Sequence, residues 1–169
     1  SPGPASRLPP EGFTLTQVND LICAWSSERT LRWDEAAQGF VPLPGFAAWR
    51  VQAAVPIGAD GAYWSVRPRD AEPDSPSAML RVRRSSGGPP GLDWTPLIVP
   101  GLDQAGDINH LELTPGEAGP VLWVGGDSAL LRIETHAIQP APEAPSVTLQ
   151  GLVVDSVRHT LSNGEAARF

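Results

Sequence analysis

The chain has 169 residues, long enough for one domain with a sizeable core, and its formal net charge of −7 repels a phosphate backbone, which excludes nucleic acid as the expected partner. Hydrophobic residues make up 41% of it, with six Trp against one Tyr and one Met, a composition that requires built pockets for large rings and excludes a disordered tail. Gly 17 and Pro 19 interrupt the chain too often for long helices and leave short strands joined by turns.

Residues 1–12 are rich in Pro, Gly and Ser and are expected to form a leader or linker. A first unit follows over 13–45. Its strands are predicted at Phe13–Val18, at Leu21–Ser26 around Trp25, at Thr30–Asp34 and from Phe40 to Leu43, with a turn at Asn19-Asp20. Cys23 lies between Ile22 and Ala24, and as the chain's one cysteine it forms neither an internal disulfide nor a zinc site; a buried, inert thiol is expected.

A second unit spans 46–102. Trp49-Arg50-Val51-Gln52-Ala53 alternates as a half-buried strand does, and Ala59-Asp60-Gly61 supplies a turn. Strands follow at Ala62–Val66, Ala78–Val82 and Trp94–Val99, with a hydrophilic insert at Arg67–Ser77. Arg81, Arg83 and Arg84 read as a solvated strand face rather than a docking patch. The third unit, 103–140, repeats the order with Ile108–Leu113, a turn region Thr114–Pro120, Val121–Gly125, Leu130–Glu134 and a weak strand at His136–Ile138. Ala141–Pro145 marks a second punctuation, and 141–169 is expected to be a linker and the start of another β-domain. No apolar run approaches the roughly 18 residues of a membrane span and no signal peptide is present, so this segment is expected to make no membrane contact of its own.

The units share an internal signature. Trp25, Trp64 and Trp123 stand in similar apolar settings, each followed by a Leu-Arg-apolar triplet: Leu31-Arg32-Trp33, Leu80-Arg81-Val82 and Leu131-Arg132-Ile133. Four short strands per unit of roughly 40–60 residues is the pattern of a propeller blade. The expected fold is therefore all-β, with about three four-stranded propeller-type blades forming a partial or open β-propeller. The three Trp and Leu31, Leu80 and Leu131 are expected at equivalent packing positions in it. A β-sandwich carrying Trp at intervals is the competing architecture.

Asp60–Val66, and Gly119–Gly126 followed by Leu131-Arg132-Ile133, resemble the two-component-regulator propeller repeat of periplasmic sensor regions in bacterial hybrid histidine kinases. Pro145–Val154 is similar to the first strand of the three-tyrosine-motif β-sandwich that follows such repeats. The resemblance implies a non-catalytic, periplasmic ligand-sensing segment that passes ligand state to a membrane-spanning signalling protein. It implies a glycan-type or other small ligand, and self-association or further blades of a longer parent. No cofactor is expected. The first repeat departs from the pattern, with Ser26-Ser27-Glu28-Arg29 in place of a Gly-rich turn.

Gly126-Asp127-Ser128-Ala129-Leu130 is similar to the signature of the Gly-Asp-Ser-Leu hydrolases, but Asp155 and His159 have the wrong spacing for that family's Asp-x-x-His, and a tight turn explains the segment. Asp103, Asp107 and His110 read as turn residues and an interfacial His rather than metal ligands. His136 and His159 are isolated. Glu112, Glu117, Glu134 and Glu143 offer no obvious glycosidase pair. No catalytic and no metal-binding residue is expected. A propeller lyase or glycoside hydrolase using His110 and Glu112, or a purely structural interaction module, is the alternative. Trp33, Trp49 and Trp94 are read as core, with sugar stacking the competing role.

Overall fold

The computed structural model describes residues 12–26, 28–86 and 91–142, together with the backbone of two strands at 151–154 and 157–160. Residues 1–11 of the expected linker and 145–150 of the expected sandwich opening lie outside them. The described chain is all-β, with three antiparallel sheets and a hairpin. The first sheet holds β1 (Thr14–Val18), β2 (Leu21–Trp25), β3 (Thr30–Asp34) and β4 (Gly39–Pro42) in sequence order. The second holds β5 (Trp49–Pro56), β6 (Ala62–Pro68), β7 (Ala78–Arg84) and β8 (Leu92–Ile98); the third holds β9 (Ile108–Thr114), β10 (Val121–Gly126) and β11 (Leu130–Glu134). These strands fall on the alternating segments of the sequence, and the turn at Asn19 takes the left-handed conformation that Asn tolerates, φ 55°.

The third unit differs from expectation at its end. Thr135–Ala137 form a 3-10 turn instead of a strand, and β12 (Gln139–Pro140) pairs with Ile98 and Leu97 at the edge of the second sheet. The third sheet therefore has three strands among the described residues. The Thr135 N–H and Oγ both donate to the Pro120 carbonyl, at 3.1 and 3.0 Å, which extends the β10–β11 register by one pair, and the Ile138 N–H then bonds the Thr135 carbonyl at 3.2 Å and closes the 3-10 turn. A hairpin of β13 (Gly151–Val154) and β14 (Val157–Thr160) follows.

Two hydrophobic clusters hold the sheets face to face. The first joins Val18, Leu21 and Cys23 of the first sheet to Val51, Trp64, Val66 and Leu80 of the second. The other joins Ala53 and Met79, from the opposite face of the second sheet, to Leu111, Leu122, Val124 and Ile133 of the third. The second sheet is thus buried on both faces. Cys23 sits inside the first cluster, where burial pushes its thiol up to about 12. Folded protein at neutral pH is expected to leave an aromatic disulfide reagent unreacted, with one thiol appearing on unfolding; prompt titration of the native protein would contradict this burial.

Strand register separates the triplets from the tryptophans. The Leu of each triplet faces the preceding side of its sheet: Leu80 packs into the first cluster and Leu131 against the second, with Leu31 on the outer face of the first sheet. Each Arg faces the other way. The indoles do not share one position, because Trp25 pairs with Thr30, Trp64 with Leu80 and Trp123 with Arg132. Relative to its triplet the partner is the residue before the Leu, the Leu itself and the Arg, so Trp64 lies on the Leu face of its sheet while Trp25 and Trp123 lie on the Arg face of theirs. Trp64 is 0% exposed and Trp25 is half-buried against the same cluster, whereas Trp123 lies on the outer face of the third sheet and in neither cluster. The equivalence expected of the three rings is replaced by an equivalence of the Leu-Arg triplets.

Candidate functional site

The richest polar constellation lies where the second and third sheets meet. In β5, Val51 pairs with Val66 and Ala53 with Ser65, so Gln52 is an extra residue, a bulge of the kind that re-aims a side chain. Gln52 Nε2 donates to Asp107 Oδ1 at 2.8 Å, and its Oε1 accepts from Ser77 Oγ at 2.6 Å. Near the end of β6, Arg67 is buried, with its guanidinium ion-paired to the Asp107 carboxylate and Nη1 donating to the Pro73 carbonyl at 3.0 Å. A buried guanidinium is stable only when paired in this way.

Asp107 is anchored through its backbone as well. Its N–H donates to Asp127 Oδ1 at 2.9 Å, and the Asp127 N–H returns a bond to the Asp107 carbonyl at 3.1 Å. Ser128 N–H donates to the Ala105 carbonyl at 3.1 Å, and Ser128 Oγ to Asp127 Oδ1 at 3.0 Å. The β10–β11 turn is therefore stitched to the segment entering β9. Two glycines permit the approach: a Cβ on Gly126 would strike the Ala105 carbonyl, and one on Gly106 would strike the Asp127 and Ser128 side chains. Gly106 also has φ 71°.

Around this junction lies a cleft of about 450 Å³, whose walls include Arg67, Asp74, Ser75, Asp103 and Asp127. A neighbouring depression of about 380 Å³ shares Asp107 and Asp127 and is walled by Trp25, Arg50, Gln52 and Asn109. Carboxylates, amides and hydroxyls dominate, and Arg67 is already paired to Asp107. Such a surface repels anions and accepts hydrogen bonds from ligand hydroxyls, with one indole beside it. The backbone N–H of Asp107, and then the Ser128 hydroxyl, hold the Asp127 carboxyl below its usual value. A depressed carboxyl adds stability above the ordinary carboxylate range and loses it as pH falls through the lower folded value. The Asp107 amide resonance is accordingly expected to stay constant through neutral pH and to titrate below the midpoint of a free Asp; a midpoint at or above that value would disprove the bond.

The residues weighed from sequence are distributed as follows. Asp103 and Asp107 reach the cleft, but His110 does not; it pairs with Gly125 in the β9–β10 register, with Nε2 3.7 Å from Glu112 Oε2. Among the described residues, no group of three or more His, Cys, Asp or Glu is placed to hold a metal. Ser128 lies in the turn, its hydroxyl on Asp127, while His159 pairs with Leu152 in the hairpin and Asp155 lies outside the described residues. Glu134 is 3.5 Å from His136 and 3.3 Å from Arg132; Glu117 is exposed, and Glu143 lies outside the described residues. Arg81 and Arg83 lie 4.0 and 3.8 Å from Asp60, and Arg84 pairs with Asp20. Trp33 packs edge-on against Phe40 at 5.4 Å, Trp49 is half-buried against the first cluster, and Trp94 is exposed.

Arg67, Gln52 and Asp127 carry the junction; sequence reasoning met Asp127 only in a tight turn and Gln52 only in an alternating strand, and assigned no role to Arg67. The one local signal was Gln52, the polar residue at which the Trp49–Pro56 alternation slips. No helix among the described residues is long and apolar enough to cross a membrane. Comparison with protein-family models, curated proteins and solved structures yields no match, so the geometry carries the functional reading.

Proposed function

We propose that this chain is a ligand-binding segment of an extracytoplasmic two-component-type sensor, that its three sheets are blades of an open β-propeller, and that the Asp107 cleft receives a neutral, glycan-type ligand without chemically altering it. The observation that supports the reading best is the cleft itself. Acceptor groups from both sheets line it, with the Trp25 indole on the adjoining wall. Hydroxyl-rich ligands suit carboxylate and amide acceptors, and an aromatic face suits the apolar side of a sugar ring. The blade reading rests on the Leu-Arg triplets, whose Leu side chains keep one facing direction in three successive sheets. A ligand in the cleft would touch both the second and third sheets. Its preference for one packing of the two would be the signal passed on.

Calorimetry of the purified chain against neutral oligosaccharides tests this. Binding without release of reducing ends is expected, weakened at least about tenfold by Asp103→Asn with Asp74→Asn. These two carboxylates line the cleft outside the Gln52–Arg67–Asp107 network. Cleavage of a polysaccharide that disappears in His110→Ala/Glu112→Ala would replace the reading with the enzymatic one.

A further inference from the structure

The two depressions at the junction are continuous, because Asp107 and Asp127 belong to the wall of both. Their volumes of about 450 and 380 Å³ each fall at the small end of the roughly 300–1,000 Å³ of ligand pockets. Beyond the shared wall the space runs on in two directions. Asp74, Ser75 and Asp103 line it on one side, and Trp25 and Asn109 on the other. Trp25 Nε1 donates to Thr16 Oγ1 at 3.4 Å, which restrains the ring that faces this second space.

The wall between them is built to accept. Asp107 Oδ1 receives Gln52 Nε2 and the Arg67 guanidinium, and Asp127 Oδ1 receives the Asp107 N–H and the Ser128 hydroxyl. Among the described residues every hydrogen bond to these two carboxylates ends on Oδ1, so both Oδ2 atoms are left with open lone pairs. The Asp107 side chain is 52% exposed and Asp127 is exposed too. The carboxylates are neighbours, since Asp127 Oδ1 lies 2.9 Å from the Asp107 amide nitrogen. Two anchored acceptors side by side match two adjacent hydroxyl donors on one sugar ring. A ring held there has room for a further ring on either side.

We infer that the ligand is a linear oligosaccharide that crosses this wall, with an internal ring held by two hydroxyls on Asp107 and Asp127 and its neighbours lying in the two depressions. The inference rests on the glycan reading proposed above and narrows it to chains of three or more rings. Asn109 then acts as a specificity-determining residue for length, because a single ring in the larger depression does not reach it. Such a chain also touches all three sheets, through Trp25, Gln52 and Asn109, whereas the larger depression lacks the first sheet.

Calorimetry against size ladders of neutral glucose, xylose and mannose oligomers, from monosaccharide to hexasaccharide, tests this. In the series that binds, the tetrasaccharide is expected to bind at least about 100-fold more tightly than the monosaccharide, the gain from making the second contact intramolecular. Asn109→Ala is expected to weaken the tetrasaccharide about tenfold and bring it towards the shorter members, whereas Asp74→Asn/Asp103→Asn weakens every length that binds. Asn109 and Asp103 are exposed, and unchanged melting temperatures confirm that the variants fold. Equal affinity along the ladder, or a tetrasaccharide indifferent to Asn109→Ala, would overturn the inference and leave the glycan reading standing. Failure of every ladder to bind would remove the proposed function and the inference with it, so the two failures are told apart.

Discussion

Trp64→Ala is expected to destabilise the protein by about 3–5 kcal/mol, the range for removing a fully buried large aromatic. The ring is 0% exposed, contacts Phe46 at 4.9 Å between centroids, and sits where the first and second sheets meet. Removing it leaves a cavity in a β-sheet core whose neighbours are held by ladder hydrogen bonds on both sides of β6 and collapse poorly. The indole Nε1 has no protein partner, so Trp64→Phe should retain much of the stability by keeping a ring and deleting an unpaired donor. Trp123→Ala, on the outer face of the third sheet, should cost about 1 kcal/mol or less. Urea unfolding of the three variants, with circular dichroism as readout, decides the matter. Equal losses for Trp64 and Trp123 would restore the idea that the rings are equivalent.

Gly126→Ala is expected to cost about 2–3 kcal/mol, near the upper end for overpacking, because the added methyl meets the Ala105 carbonyl, which is backbone and already accepts the Ser128 N–H. The only relief is to part the β10–β11 turn from the segment entering β9. That movement displaces Asp127 from the Asp107 N–H and deforms the cleft wall, so glycan binding should fall together with stability. Gly119→Ala is the control: its added Cβ would meet nothing within 4 Å, although φ 122° makes it a strained position. It is expected to lower stability and leave binding intact. Thermal melts and calorimetry on both variants separate the effects, and undiminished binding in Gly126→Ala would detach the cleft from the ligand.

Much of the strand layout was legible in the sequence, because alternation over segments such as Trp49–Ala53 and Ile108–Leu113 reports the two faces of a strand directly. The Leu-Arg triplets were legible for the same reason. The depth of the tryptophans was not. The turns between β2 and β3, β6 and β7, and β10 and β11 differ in length, and the Trp-to-Leu spacings of 6, 16 and 8 residues do not reveal which residues pair across them, although pairing decides the face. The fate of His136–Ile138 was hidden likewise, since the Ile138 N–H bonds the Thr135 carbonyl in a 3-10 turn and the next two residues pair with β8, a strand about 40 residues back. The cleft was least legible. Arg67 finds Asp107 across 40 residues and Gln52 finds it across 55, and no local pattern records such pairings. Asp103 and Asp107 stood out only as turn formers, which describes their backbone and omits what converges on their carboxylates.

The two-residue strand β12 has a mechanical corollary. Gln139 and Pro140 moor the chain to Ile98 and Leu97, and the Ala141 N–H adds a bond to the Pro96 carbonyl at 2.8 Å. The third sheet is therefore tethered to the second at both its entrance and its exit. Tension applied beyond residue 141 loads β8 before it reaches β11, so a pulling experiment should rupture the β8–β12 clasp first and then release β9 to β11 together as one cooperative extension.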